Sequence, residues 1–172
     1  MTRRHIHYEA AFEDFLRSRG VPYIGVNEAQ RAIFAGTKVK SFDFLVYPAV
    51  RPNWLVDVKG RLFPYDHGGT RRYWENWVGA EDLETMRAWE EALGEGFRAM
   101  FVFSYALSGP ERRWPTDLVH AYLDQPYAFM GVALTDYRAA CRRRSGRWDT
   151  VNVPVRHFRQ ISKPVQLWWG LA

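Results

Sequence analysis

The sequence predicts an α/β fold in which a mixed central β-sheet is flanked by helices. Two amphipathic segments, one near the start of the chain and one near its middle, have apolar residues at a spacing of three to four. Short apolar runs bounded by turn residues lie between and after them. The first pattern predicts helices and the second predicts strands. Their alternation along one chain is typical of layered α/β domains.

The first elements are a helix at Tyr8–Arg19 and a short strand at Val21–Val26. Tyr8, Phe12, Phe15 and Leu16 follow helical spacing. Gly20 is expected to end the helix, because glycine tolerates the left-handed backbone that often follows a last helical turn.

The middle of the chain predicts two strands, a helix and a third strand. The strands are Ser41–Tyr47 and Trp54–Lys59, and the helix is Glu81–Gly94. The apolar run Phe97–Leu107 is continuous, which predicts a central strand buried on both faces.

Three further elements are expected near the end of the chain. They are a strand at Tyr127–Leu134, a short helix at Thr135–Arg144 and a last strand at Trp148–Val155. Pro154 is expected to restrict that last strand to a sheet edge, because proline donates no ladder hydrogen bond.

Length and composition favour one globular domain over residues 1–172. The chain is 47% hydrophobic and 16% aromatic, which is too apolar for a disordered chain. Its apolar runs are much shorter than the ~20 residues of a membrane span, and we expect no secretory leader. A single cysteine, Cys141, excludes an internal disulfide. These observations predict a cytoplasmic protein.

The charge of the chain favours a polyanionic partner. Lysine and arginine outnumber aspartate and glutamate by 24 to 19, which gives a formal net charge of +5 and a pI near 9.5. Arginine, which forks onto phosphate, supplies most of the excess. Because many basic proteins bind no nucleic acid, charge alone leaves the partner open.

Three charged residues interrupt the two best strands, namely Asp43, Asp57 and Lys59. Alternation along a strand puts all three on one face if the chain reverses at 48–52. In one register, the residue numbers of each pair sum to 100, and Asp43 lies opposite Asp57. A register shifted by two sets Asp43 opposite Lys59. In either register the three groups lie within about 5–8 Å of one another.

Carboxylates that face each other destabilise a sheet, so a nearby positive charge must compensate their repulsion. Lys59 can supply it as an internal ion pair. A divalent cation can also supply it, because carboxylate oxygens bind such ions well when they converge. The spacing alone leaves both interpretations open.

The motif resembles that of PD-(D/E)XK nucleases. Asp43 is followed by thirteen residues and then by Asp57-Val58-Lys59, with Phe42 in place of the family's proline. The preceding stretch AFEDFLRSRGVPYI resembles the first helix of Holliday-junction-resolvase-like members. The resemblance implies a restriction-endonuclease-like core over about residues 8–107, with a C-terminal β/α extension at 108–172.

The resemblance also implies an activity, a Mg²⁺- or Mn²⁺-dependent endonuclease that hydrolyses DNA phosphodiesters. Asp43, Asp57 and Glu13, with the carbonyl of Val58, would hold the metal. Lys59 would position or activate the attacking water and stabilise the growing charge. A plain ion pair with the residue four positions later is the alternative for Glu13, and Glu9, on the same helical face, is its substitute at the metal.

Two other functional classes remain open on the sequence. One is a catalytically inactive nucleic-acid-binding module of the same fold, and the other is a structural protein in which the three charges form an inert ion pair. A homodimer is possible, since cutting two strands needs two sites. The apolar tail at 164–172 is expected to serve that interface or to close the core.

Basic and aromatic residues outside the motif are candidates for nucleic-acid contacts. The segment GGTRRYWENWV at 68–78 interleaves arginines with aromatic rings, which suits single-stranded or distorted nucleic acid. Its tryptophans are equally expected to cap the core. The run at 142–144 lies at an expected helix end, where arginines complement the helix dipole. The expected nucleic-acid contacts are Arg61, Arg71, Arg72, Trp74, Lys38 and Lys40.

Overall fold

The computed structural model describes residues 4–26, 33–34, 37–38 and 40–172, with side chains for 7–26 and 40–172. Its α-helices are α1 (Arg4–Ser18), α2 (Ala80–Leu93), α3 (Leu134–Ala140), α4 (Val155–Ile161) and α5 (Val165–Trp168). A 3₁₀ turn covers Glu111–Arg113. Within the described ranges, no helix has both the length and the apolar character that crossing a membrane requires.

The strands divide between a large central sheet and three small ones. In chain order they are β1 (Tyr23–Gly25), β2 (Ile33–Phe34), β3 (Thr37–Lys38), β4 (Phe44–Val46), β5 (Asn53–Phe63), β6 (Tyr65–His67), β7 (Thr70–Arg72), β8 (Val78–Gly79), β9 (Phe97–Leu107), β10 (His120–Tyr122), β11 (Gln125–Ala133), β12 (Arg142–Ser145), β13 (Thr150–Asn152) and β14 (Lys163–Pro164).

The central sheet has the order β1-β4-β5-β9-β11-β10, and β14 also pairs with β11. β5 and β9 run parallel along their whole length, and the other pairs are antiparallel. Residues 99–107 of β9 are all buried, which confirms the prediction of a strand covered on both faces.

The segment after residue 107 is part of the same sheet. β11 pairs with β9 over seven positions, from Tyr127 opposite Ala106 to Ala133 opposite Met100. The residues that the resemblance assigns to an extension therefore supply a strand next to the central one.

Alternation along β5 divides the core into two layers. Trp54, Val56 and Val58 face α1 and α5, where they meet Phe12 and Trp169. Residues of the opposite face pack against α2, α3 and α4. Because Trp169 is only 1% exposed, the apolar tail closes the first layer, which was one of its two expected roles.

Two expectations for the end of the chain were wrong. The helix α3 ends at Ala140, and the arginines at 142–144 belong to strand β12. The strand expected at Trp148–Val155 is β13, which is central in a small sheet of order β12-β13-β8. Pro154 imposes no edge position because it lies beyond β13 and precedes α4, where a missing N–H removes no ladder bond.

Candidate active site

The two aspartates of the motif meet where β4 begins. β4 pairs with β5 through Phe44↔Val56, Leu45↔Leu55 and Val46↔Trp54, so the register in which numbers sum to 100 is confirmed. Just before this ladder, the carboxyl groups of Asp43 and Asp57 lie close enough to share a hydrogen bond. They are 6% and 9% exposed. Two acidic groups therefore share one nearly buried position.

Asp43 is held at this position by the backbone of the neighbouring strand. The N–H of Val58 donates to its Oδ2 over 2.7 Å. Burial, the charge of Asp57 and the charge of Glu9 together raise the pKa of Asp43 to about 9, although the bond from Val58 acts in the opposite direction. A pKa this high favours the protonated form of Asp43 at neutral pH.

Lys59 lies between two carboxylates. Its Nζ is 2.9 Å from Oδ2 of Asp57 and 2.8 Å from Oδ2 of Asp82, and its side chain is 15% exposed. Burial alone would lower the pKa of Lys59, but the charges of the two aspartates outweigh burial and raise it. The ammonium is therefore charged throughout the neutral range.

Asp82 is a member of this cluster that the sequence analysis missed. It is the third residue of α2, and its Oδ2 accepts the Gly79 N–H over 3.3 Å while its Oδ1 accepts from Lys40 Nζ over 2.8 Å. Burial would raise the pKa of Asp82, but Lys59 and Lys40 outweigh it and lower that pKa. The available signal was an acid in the first turn of a predicted helix, which has many ordinary explanations.

Of the two candidate acids on α1, the structure brings Glu9 and not Glu13 toward the aspartates. Oε1 of Glu13 accepts hydrogen bonds of 2.8 Å from both Arg17 and Tyr23. Glu9, one turn earlier, is the helix acid whose charge raises the pKa of Asp43. The ion-pair interpretation of Glu13 therefore fits the structure, and its substitute takes the position near the site.

The donor atoms of the site suit one divalent cation. Across the side chains at 7–26 and 40–172, no three His, Cys, Asp or Glu residues form a complete metal cage by themselves. Asp43 and Asp57 supply carboxylate oxygens, and Val58 presents its carbonyl on the same strand edge as its N–H. Oxygen donors of this kind suit Mg²⁺ or Mn²⁺. Burial and the neighbouring acids raise the pKa of Asp43, and the positive charge of a bound cation would lower it.

The residues expected to contact nucleic acid lie in different environments. Arg71 and Arg72 are exposed on β7, in a two-stranded hairpin with β6. Lys40 is bound to Asp82, and the side chain of Lys38 is outside the described residues. The two hairpin arginines are exposed, and Lys40 is exposed as well although its ammonium is paired with Asp82.

Trp74 lies against the core. Its ring packs edge-on against Phe63, Tyr105 and Phe158, with centroid separations of 5.5, 6.1 and 6.2 Å. Arg159 lies over the same ring at 5.4 Å. These contacts fit the alternative in which this tryptophan caps the core.

Arg61 is turned inward, two residues beyond Lys59 on the same face of β5. Its guanidinium donates to the carbonyls of Gly60, over 2.8 Å, and Trp77, and it lies 3.9 Å from the centroid of the Trp77 ring. Burial lowers the pKa of Arg61. This residue is therefore fixed in place before any ligand binds.

Comparison with known proteins supports the fold. No family model matches this chain, and no curated protein matches it significantly. Among solved structures, Hjc of Archaeoglobus fulgidus, a Holliday junction resolvase, superimposes with a TM-score of 0.57 over 95% of this chain and 98% of its own, at 11% identity. The chain has the same restriction-endonuclease-like α/β fold, as predicted. Coverage this broad includes most of the segment at 108–172.

Proposed function

We propose that the protein is a PD-(D/E)XK-type endonuclease that hydrolyses DNA phosphodiesters with the help of a divalent cation. One observation carries the proposal: the Asp43 and Asp57 carboxyls lie close enough to share a hydrogen bond, and the Lys59 ammonium lies 2.9 Å from Asp57. The likeness in fold to Hjc, described as a Holliday junction resolvase, supports the same activity class.

The acidic residues would hold the cation. Asp43 and Asp57 are the primary ligands in this proposal, the Val58 carbonyl adds an oxygen, and Glu9 takes the role first expected of Glu13. When bound, a divalent cation lowers the pKa of a coordinated water and neutralises phosphate oxygens. Loading requires Asp43 to lose its proton, so cation binding is expected to release protons below about pH 9.

Lys59 acts in this proposal as a fixed positive charge. Its raised pKa makes it a poor base at neutral pH, which disfavours a role in removing a proton from water. Its ammonium is suited to donating a hydrogen bond to a phosphate oxygen on which charge accumulates. Removing one such preorganised donor typically lowers kcat by a factor of about 10²–10³.

A plasmid-cleavage assay tests the proposal. Supercoiled, linear and branched DNA, together with RNA, are incubated with the protein in Mg²⁺, in Mn²⁺ or in EDTA. We expect cleavage of DNA only with a divalent cation, and its loss in Asp57→Ala and Lys59→Ala. Asp117→Ala and Lys163→Ala, which remove exposed charges of the same two types, are matched controls and should keep full activity.

Two results would replace the proposal by another. DNA that migrates more slowly but stays intact under every condition would indicate the nucleic-acid-binding module. If the DNA is neither cleaved nor retarded, the structural role for the three charges is the interpretation that remains. Cleavage that persists in EDTA would contradict the role assigned to the aspartates.

The proposal extends to a pair of chains, because severing both strands of a duplex needs two such sites. Sedimentation of the protein alone and with DNA measures this directly. A monomer under both conditions would restrict the activity to one strand at each encounter.

A further inference from the structure

A cleft of about 350 Å³ lies beside the end of β5, next to the candidate active site. Gly60, Arg61 and Leu62 of that strand form one wall, directly after Lys59. The hairpin of β6 and β7 and the strand β12 border the remainder. A strand of nucleic acid that passes the site can therefore continue into this cleft.

Arginine and tryptophan side chains build the inner end of the cleft. Arg61 lies 3.9 Å and Arg144 lies 5.3 Å from the centroid of the Trp77 ring. Cation–π contacts of this kind orient guanidinium groups without neutralising them. Two positive charges are therefore fixed on one aromatic ring.

Buried hydrogen bonds hold this end of the cleft in place. The side chain of Asn76 accepts from the Val153 N–H over 2.8 Å and donates to the Val153 carbonyl over 2.9 Å. Asn76 is 3% exposed, so both bonds are shielded from water. Because Trp77 follows Asn76 directly, its backbone is anchored before any ligand enters.

The cleft has an excess of positive charge. Arg61, Arg72 and Arg144 line it together with one acid, Glu75, whose Oε1 is 3.9 Å from Arg72 Nη1. Within the described part of the chain, Arg61 makes no ion pair, and its buried Nε has no hydrogen-bond partner. A buried guanidinium without a counter-ion is stabilised when an anion arrives.

The outer end of the cleft offers an aromatic face. Tyr65, at the start of the hairpin, is 39% exposed and stacks with His67 at 6.1 Å. Cationic side chains combined with exposed rings are typical of sites for single strands, whose bases are free to stack. The volume falls at the lower end of the range of about 300–1,000 Å³ for small-molecule sites.

We propose that this cleft holds an unpaired nucleotide of the DNA strand next to the cleaved phosphodiester. The inference rests on the proposed nuclease function and narrows its substrate to DNA with a single-stranded portion, such as an overhang, flap or open branch. Arg72 and Arg144 contact the phosphate, and Tyr65 stacks on the base.

Fluorescence anisotropy in EDTA tests the cleft separately from catalysis. The probes are a short labelled single strand and the blunt duplex of the same sequence. In the double variant Arg72→Ala/Arg144→Ala we expect the Kd for the single strand to rise about tenfold or more, and its salt slope to fall by about 1.4 for two lost contacts. Tyr65→Ala should raise the same Kd about fivefold with an unchanged slope, because it removes stacking and no charge.

Arg98→Ala is the matched control. Arg98 is an exposed arginine over a tryptophan, 5.2 Å from the Trp54 centroid, but it lies at the opposite end of the β5–β9 pair. Its removal should leave both affinities unchanged.

The outcomes separate this proposal from the nuclease activity. Three results would overturn the cleft assignment. The double variant could lose equal affinity for the single strand and the duplex, or lose affinity for neither. The unmodified protein could also fail to bind the single strand. A selective loss of single-strand binding would support it even if no substrate is cleaved in Mg²⁺. In that last case the catalytic proposal alone fails.

Discussion

The ammonium of Lys59 and the carboxylate of Asp82, 2.8 Å apart, join the strand β5 to the first turn of α2. The same carboxylate also binds Lys40 and the Gly79 N–H. Lys59 therefore has a fixed direction before a substrate arrives. In the proposed reaction, Asp82 would act through Lys59 and would be a positioning residue.

Asp82→Asn tests this role. Asparagine keeps an oxygen for the Gly79 N–H, so α2 should remain capped. The pKa of Lys59 should fall, because one of the two charges that raise it is lost. We expect kcat to drop between about 10- and 100-fold, and the alkaline limb of the pH–rate profile to move to lower pH. Glu81→Gln, which changes an exposed acid in the same turn, is the control. A slower enzyme with an unmoved alkaline limb would argue for a merely structural Asp82.

The two acids of α1 should separate in their effects. Glu9→Gln is expected to raise the Mg²⁺ concentration needed for activity about tenfold or more, since it removes an acid next to the aspartates. Glu13→Gln breaks an exposed pair with Arg17, and solvent-exposed pairs of this kind contribute little to stability. It should leave the Mg²⁺ dependence unchanged. Mg²⁺ titrations of activity and urea unfolding of both variants measure this, and the reverse pattern would restore Glu13 to the site.

The raised pKa of Asp43 predicts how stability varies with pH in EDTA. An unfolded aspartyl group has a pKa of about 3.9, whereas the pKa of Asp43 in the folded protein is raised to about 9. Between these values the folded state binds more protons than the unfolded state, so stability should fall as pH rises from about 4 to about 9. Asp43→Asn should flatten this decline and raise the melting temperature at pH 8 by at least ~2–4 °C, about 1 kcal/mol.

Thermal unfolding across pH, with and without Mg²⁺, checks this expectation. Mg²⁺ should stabilise the unmodified protein and leave Asp43→Asn almost unaffected. Asp117→Asn, at an exposed position, should keep the original pH dependence. Stability that rises with pH over this interval would show that Asp43 is ionised in the folded protein.

The close approach of Gly60 to Tyr8 connects the packing of α1 on β5 with the candidate active site. A Cβ at position 60 would lie 2.1 Å from Cδ2 of the buried Tyr8 ring, so α1 must shift away from β5. Gly60→Ala should lower stability by about 1–3 kcal/mol, and should lower activity because Glu9 moves with the helix.

Gly25→Ala is the control for that substitution. Position 25 is also in a strand, but its added Cβ would meet only Phe44, at an ordinary 3.8 Å. Urea unfolding and cleavage rates compare the two variants. Equal effects from both would show that the Tyr8 contact adjusts easily.

The sequence was informative where local rules decide the structure. Alternation along the strands and a short reversal were enough to put Asp43, Asp57 and Lys59 on one face. They left two registers open, and the structure has the one in which residues 44–46 pair with 54–56. The continuous apolar character of 97–107 likewise identified the central strand.

Features that depend on packing between distant elements were not predictable in this way. Asp82 reaches Lys59 only because α2 packs on β5, 23 positions further along the chain. Glu9 and Glu13 share one helical face, so the choice between them depends on a small rotation of α1. The position of β11 beside β9 depends on a pairing across a long connection, which local patterns do not report.

The bond from the Val58 N–H to Asp43 has a consequence for how this chain can change over time. The carboxyl group occupies the place of a main-chain acceptor at the point where the β4 ladder stops. A descendant without the proposed hydrolytic activity would still need an oxygen at position 43, so asparagine is a tolerable successor there. Alanine or leucine would leave a shielded amide hydrogen without any partner, and the end of the sheet would fray.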